Sequence, residues 1–248
     1  DDGQPDPPGA VTIRWEQTGG PAAAGIADPA ALTTVVALPV PGDYTFSLTA
    51  DDGELDSVTV VAITAGVPPP AGDVIEVRVA ASSDDVEERG DGTLEPGSGD
   101  LEITEENTLQ AIGLRFTGLA IPRGAVITSA WIRFTVDEPT GRPTQLVIAA
   151  HDTGDAPTYG GPGNVRSRPL AAATVAWAPA RWAAAGDSGA EQQSPDLSAV
   201  IQAIVDRADW APGNAIALII EGNGKRVAET FDTDPGQAPL LHLTYLTP

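Results

Sequence analysis

The sequence predicts an all-β protein: a partial immunoglobulin-like sandwich, a proline spacer, and a larger β-sandwich interrupted by one short helix. Three observations carry that expectation. Residues 112–138, IGLRFTGLAIPRGAVITSAWIRFTVDE, form two alternating apolar–polar runs around a turn with Pro122 and Gly124. Ile112, Leu114 and Phe116 share one face, and Ile132, Phe134 and Val136 share another, so each strand has an apolar side that a second sheet must cover. Runs of the same kind recur through the chain with Gly and Pro in the gaps. Helical periodicity is confined to residues 194–207.

Composition narrows the function classes. Across 248 residues, 13 Lys and Arg face 35 Asp and Glu, a formal net charge of −22, and Lys225 is the one lysine. A surface of that sign repels phosphate backbones and anionic lipid, so neither nucleic acid nor a membrane surface is expected as a partner. It favours solubility, can collect divalent cations and suits an extracellular setting. Cysteine is absent, which removes disulfides, thiolate metal sites and a cysteine nucleophile. Methionine is absent too, including at position 1, so the sequence is expected to be a processed or excised piece. No apolar run approaches the ~20 residues that a membrane span needs, and no membrane insertion is expected.

Residues 66–73, GVPPPAGD, separate residues 1–65 from 74–248. Three consecutive prolines favour an extended spacer, and the flanking glycines let it turn. In the first part, residues 11–17, 43–50 and 57–64 alternate, with a weaker run at 33–38. Val11, Ile13 and Trp15 share a face, as do Tyr44, Phe46 and Leu48. About four strands are found where an immunoglobulin-like sandwich has about seven. DDGQPDPPGAVTIRW at 1–15, followed by GDYTFSLTADDGELDSVTVVAIT at 42–64, resembles the latter two-thirds of a PKD-like domain of bacterial surface and secreted proteins. The resemblance implies two further strands before the first DDG, lying upstream or supplied by another chain. Four strands with an open edge are a marginal unit, so self-assembly through that edge is expected, a neighbour donating a strand.

The second part reads as strands at about 74–80, 100–104, 110–117, 126–136, 144–151, 172–177, 215–221, 226–231 and 240–246. In the helix, Ser194 is expected to cap, Pro195 suits the first position, and Leu197, Val200, Ile201, Ile204 and Val205 form an apolar stripe. The helix is expected to plug one end of the sandwich. Residues 113–138, TVAWAP at 174–179, PDLSAVIQAIVDR at 195–207 and NAIALIIEGNGKRVAETFDTDPGQAPLLHLTY at 214–245 together resemble DNRLRE-type jelly-roll domains and related alginate-binding modules. That resemblance covers nearly all of 74–248 and implies a jelly roll. The acidic stretch SSDDVEERGDG at 82–92 departs from it.

Catalysis is not expected. An enzyme needs a proton shuttle or an activated nucleophile held by partners. The two histidines lie at a strand end (His151) and inside the last strand (His242), and no GxSxG, HExxH or Gly-rich phosphate loop occurs. Structural calcium is the cofactor expected, because hard cations want clustered carboxylates. Asp1-Asp2-Gly3 and Asp51-Asp52-Gly53 meet at one pole if strands 11–17 and 43–50 pair antiparallel, as the PKD-like resemblance implies; Asp-Gly is also ordinary turn chemistry. That gathers Asp2, Asp51 and Asp52. In the second part the acidic candidates are Asp84, Asp85 and Glu87 with Glu88, then Asp100 and Glu102, which share a strand face, and Asp137 beside Glu138. A charged solubilising rim is the plainer account of them.

A carbohydrate site needs aromatic faces with polar groups around them. The candidates are Trp131, Trp182 and Tyr159 with Arg115 and Arg133, and a neutral polysaccharide is the ligand expected. Trp131 alternates with Ile132 and Phe134 and so faces away from the core. Trp177 and Trp210 lie nearby in sequence, and Arg166 and Arg168 extend the local basic group. Tryptophans that merely close the sandwich ends are the plainer account. The leading expectation is a non-catalytic extracellular surface or matrix protein acting in adhesion or assembly, with a filament subunit as one form of it. The alternative is a carbohydrate-binding module excised from a larger secreted polysaccharide-degrading enzyme.

Overall fold

A computed structural model describes residues 11–66 and 72–248. The chain divides into two compact units, Asp1–Pro70 and Ala71–Pro248. The protein is all-β, of sandwich type, with one short α-helix among the described residues.

In the N-terminal unit the strands are β1 (Thr12–Gly19), β2 (Gly25–Ile26), β3 (Val36–Ala37), β4 (Gly42–Asp51) and β5 (Asp56–Ala65). β1, β4 and β5 form one antiparallel sheet in that order. Trp15 stands opposite Leu48 and Tyr44 opposite Ile63, which puts the alternating apolar residues on one face. Residues 20–41 lie over that face. They are anchored by Trp15 Nε1, which donates to the Ala31 carbonyl at 3.0 Å, and by the Tyr44 hydroxyl, which donates to the Val40 carbonyl at 2.9 Å. The weak run at 33–38 supplies only β3, paired with β2. The other face of the sheet leaves Val58 and Val60 55 % and 66 % exposed.

The C-terminal unit contains β6 (Asp73–Arg78), β7 (Asp85–Glu88), β8 (Leu94–Pro96), β9 (Asp100–Ile103), β10 (Ala111–Phe116), β11 (Val126–Arg133), β12 (Gln145–His151), β13 (Leu170–Trp177), α1 (Ser198–Val205), β14 (Ile216–Asn223), β15 (Arg226–Glu229) and β16 (Leu240–Leu246). One six-stranded sheet runs β13-β12-β14-β10-β7-β8. A three-stranded sheet, β11-β16-β6, and the ribbon β15-β9 make up the rest, linked by a bridge between Val136 and Ala228. The core lies between these layers: Ile112, Leu114, Phe116, Ile148, Leu218 and Ile220 from the large sheet pack with Ile132, Leu241, Leu243, Leu101 and Ile103. The two strands within residues 112–138 thus sit in different sheets and cover each other's apolar sides. Neither β7 nor β8 was expected: β7 is largely acidic and carries no apolar alternation, and β8 is only three residues long and ends in proline.

The helix packs on β11, β12 and β13 with Val200, Ile201, Ile204 and Val205 buried. Its capping differs from expectation. The Ser194 hydroxyl accepts from Ile132 N at 3.1 Å, while Asp196 Oδ1 accepts from Ser198 N at 3.1 Å and from Ala130 N at 2.9 Å. One aspartate therefore satisfies both a helix-start donor and the neighbouring strand. Among the described residues no helix is long and apolar enough to cross a membrane.

Candidate functional site

Two features of the C-terminal unit hold the chemistry that the sequence singled out. The first is the outer face of β11-β16-β6. Trp131 stands across from His242, and His242 across from Glu76. Ile132, Leu241 and Leu243 point into the core, so this row projects outward. Trp131 and His242 stack with centroids 4.4 Å apart and planes within 5°. The Arg133 guanidinium lies 5.0 Å from the Trp131 ring centroid, and His242 Nδ1 is 3.0 Å from Glu76 Oε1. The result is a four-member ladder: guanidinium, indole, imidazole, carboxylate. Alternation in the sequence put Trp131 and Arg133 on this face. The sequence placed His242 in the last strand but not beside Trp131, and Glu76 was missed, because the strand register alone decides which residues stand opposite Trp131.

The other residues expected to bind carbohydrate are inside the fold, which corrects that assignment. Trp182 is fully buried, donates to the Glu191 carbonyl and packs 6.0 Å from the Phe134 ring. Tyr159 is buried beneath Arg168, whose guanidinium is 3.8 Å from its ring centroid, and occupies the space that Gly113 leaves by lacking a Cβ. Arg115 is committed to the interior: Nη1 lies 3.0 Å from Asp84 Oδ1, and Nε donates to the Ala156 carbonyl at 2.7 Å. Trp177 and Trp210 are buried as well, in line with the plainer account. Arg166 and Arg168 are tied down by Glu88, Glu221 and the backbone carbonyls of 157, 158 and 164.

The second feature is β7, whose four residues Asp85, Val86, Glu87 and Glu88 are all buried, as is Asp84 before it. A solubilising rim is therefore excluded for this stretch. Asp84 is neutralised by Arg115. Glu88 Oε2 accepts from Val165 N at 2.6 Å and Arg166 N at 3.1 Å, pinning the loop over the outer face of the large sheet. Asp85 and Glu87 stand opposite Leu114 and Ile112 and face the interior instead. Glu87 Oε1 accepts from Glu102 N at 2.5 Å and Gln110 Nε2 at 3.0 Å. Burial, reinforced by Glu102 and Asp100, pushes the Glu87 carboxyl up to about 8. Asp85 Oδ2 accepts from Phe231 N at 2.7 Å, and Oδ1 has no partner among the described residues. Burial, with Asp232 and Asp84 nearby, pushes Asp85 up to about 7.

The remaining acidic candidates lie on β9, just after β11 and in the turn between β4 and β5. Glu102 lies 3.5 Å from Lys225 Nζ, and burial, then Asp100, raises its carboxyl. Asp100 stands opposite Glu229 across the β9–β15 ribbon. Asp137 is raised by burial, then by Asp100 and Glu138. In the N-terminal unit Asp51 and Asp52 build a turn. Asp51 Oδ1 accepts from Gly53 N at 2.7 Å, and Asp52 Oδ1 accepts from Leu55 N at 2.9 Å and Glu54 N at 3.1 Å. The backbone N–H of Leu55, followed by that of Glu54, holds the Asp52 carboxyl below the usual range. Asp2 lies outside the described residues, and so does the expected meeting of the two DDG turns. Among the described residues no group of three or more His, Asp or Glu side chains is placed to hold a metal ion. Asp84, Asp85 and Glu87 are instead engaged by an arginine and by backbone and side-chain donors.

His151 Nδ1 faces Arg168 Nη1 at 3.5 Å, while Asp152 pairs with Arg207, so the adjacent His and Asp form no dyad. Burial, then Arg168, lowers the His151 ring. Comparison with protein-family models and with curated proteins finds no match to this chain.

Proposed function

We propose that the chain is a non-catalytic extracellular surface or matrix component that works by adhesion or assembly, with the N-terminal unit supplying the assembly contact. One observation carries this reading: the three-stranded sheet ends in β5, a ten-residue strand whose side chains are almost all exposed and which has a hydrogen-bonded neighbour on one side among the described residues. Such an edge is a template for another strand. The non-catalytic part is supported by the state of the candidate acids and bases. Asp84, Glu87 and Glu88 each serve a structural partner, and both histidines are engaged by Arg168 or by Trp131 and Glu76. Sedimentation velocity of the intact chain over a range of concentrations tests the assembly reading. Concentration-dependent association supports it, and a monomer at every concentration refutes it.

A second reading, a carbohydrate-binding module that accompanies a polysaccharide-degrading enzyme, is favoured by the outward position of Trp131. His242 is stacked on that ring and Arg133 lies over it, so a sugar gains a ring face only where Arg133 swings aside. Pull-down on insoluble neutral polysaccharides tests this. Binding lost in Trp131→Ala and retained or strengthened in Arg133→Ala supports it, and binding indifferent to Trp131 refutes it.

A further inference from the structure

We propose that the seam between β7 and the β9–β15 ribbon is locked by protons: uncharged Asp85 and Glu87 hold the two strands of the ribbon against the large sheet, and their ionisation opens that seam while the rest of the unit stays folded. The device lies wholly within the C-terminal unit and is independent of the assembly reading.

Each strand of the ribbon is caught by a different acid. β9 has a ladder partner, β15, on one side. On the other, at Glu102, side chains take the place of a strand. Glu102 N donates to Glu87 Oε1 at 2.5 Å, and Gln110 Nε2 donates to the Glu102 carbonyl at 2.7 Å and to Glu87 Oε1 at 3.0 Å. The chain leaving β15 is held in the same way, with Phe231 N donating to Asp85 Oδ2 at 2.7 Å. The far side of the ribbon is bonded differently. Glu229 N donates to the Thr135 carbonyl at 2.9 Å, and Asp137 N to the Val227 carbonyl at 3.0 Å. Those backbone bonds do not titrate, so opening falls on the β7 side, where Leu101 and Ile103 enter the core.

The groups around the two acids are mostly acidic. Glu87 faces Glu102 and Asp100 from β9 and stands opposite Glu95 of β8. β10 places Ile112 and Leu114, neither charged, opposite Glu87 and Asp85. Asp85 has Asp232 and Asp84 nearby, and its Oδ1 has no partner among the described residues. The cations at this seam are committed: Arg115 to Asp84, Arg89 to Glu95 and Glu106, and Lys225 to Glu102. A proton on Glu87 can be shared with the Glu102 carboxylate, which lies within hydrogen-bonding reach. Without that proton, two carboxylates meet in a buried place. Burial and these neighbours hold Glu87 up at about 8 and Asp85 up at about 7. Both lie above the ordinary values of 4.5 and 3.8, so the seam is firm at low pH and weakens as pH rises through that interval.

Hydrogen exchange of the intact chain tests this, read residue by residue by NMR from about pH 5 to 9 and corrected for the intrinsic pH dependence of exchange. The amides of Glu102 and Phe231 should lose protection by roughly tenfold or more per pH unit up to about pH 8 and then level off. Those of Glu229 and Asp137, and those of β12 and β14, should exchange more slowly at every pH. Asp85→Asn combined with Glu87→Gln should abolish the loss. Glu87→Gln alone should flatten the part above about pH 7, where Asp85 is already ionised, and it serves alone if circular dichroism shows the double variant unfolded. Protection of Glu102 and Phe231 that does not change with pH would overturn the lock, as would a loss that persists in the variants. Loss in step across the ribbon, β12 and β14 would show a whole-unit transition and overturn the local seam.

Discussion

Replacing Glu87 by glutamine should stabilise the C-terminal unit, and the gain should grow with pH. Glu87 is 1 % exposed, and its carboxyl is raised from 4.5 to about 8 by burial and by Glu102 and Asp100. An acid whose folded value lies above its unfolded one leaves stability intact at low pH. Stability then falls as pH rises through the interval between the two values. Each pH step inside that window costs about 1.4 kcal/mol, so the penalty is about 1 kcal/mol at pH 5 and about 3 kcal/mol at pH 7. Glutamine keeps the Oε1 acceptor used by Glu102 N and Gln110 Nε2, and its new N–H₂ can donate to the Glu102 carboxylate. Urea unfolding followed by tryptophan fluorescence is the assay, since four of the five tryptophans (131, 177, 182 and 210) belong to this unit. The variant should exceed the wild type by about 1 kcal/mol near pH 5 and by a few kcal/mol at pH 8. A wild type with no pH dependence between 5 and 8, or a variant destabilised equally across that range, would refute the reasoning.

Arg226 is 2 % exposed and donates to the carbonyls of Ala180, Pro179, Arg142 and Lys225 and to Thr144 Oγ1, with no carboxylate among its partners. Arg226→Met should cost more than about 3 kcal/mol, because it strands several buried acceptors; limited proteolysis should then cut near 138–144 and 178–182, and an unchanged digestion pattern would count against the clamp. Because backbone donors and an arginine engage the β7 acids, chelation at pH 6 should leave the melting temperature unchanged and calcium titration should give no heat. A chelator-sensitive melting shift would show that a cation, not a proton, occupies this layer.

Alternation located the central strands because Ile112, Leu114, Phe116, Ile132, Phe134 and Val136 obey the simplest rule of a half-buried sheet, and all six are buried. The same rule concealed β7. Its interior positions hold Asp85 and Glu87, whose burial depends on donors from Phe231, Glu102 and Gln110, more than 140 residues away in the first case. No local pattern reports such partners. Tyr159 misled for a related reason: a Gly- and Pro-rich stretch looks like a surface loop, yet here it folds back onto the large sheet and buries its aromatic ring. Trp182 is buried against Phe134, and Arg115, on β10, pairs with Asp84, partners that no local pattern reports. Trp131 was legible as outward-facing, but its stack with His242 required the β11–β16 register. In the N-terminal unit an edge that is open among the described residues was legible from strand count. That β1 carries a register slip and a covering hydrogen bond, while β5 pairs with β4 in an unbroken register, became visible only with the Trp15–Pro29 hydrogen bond and the two registers.

Hydrogen exchange of residues 57–65, followed as a function of chain concentration, tests the assembly account most directly. Outward amides of β5 that pair with another strand should become protected as concentration rises, while those of β1 and of the C-terminal unit should not change. Exchange in β5 that is equally fast at all concentrations would contradict the account.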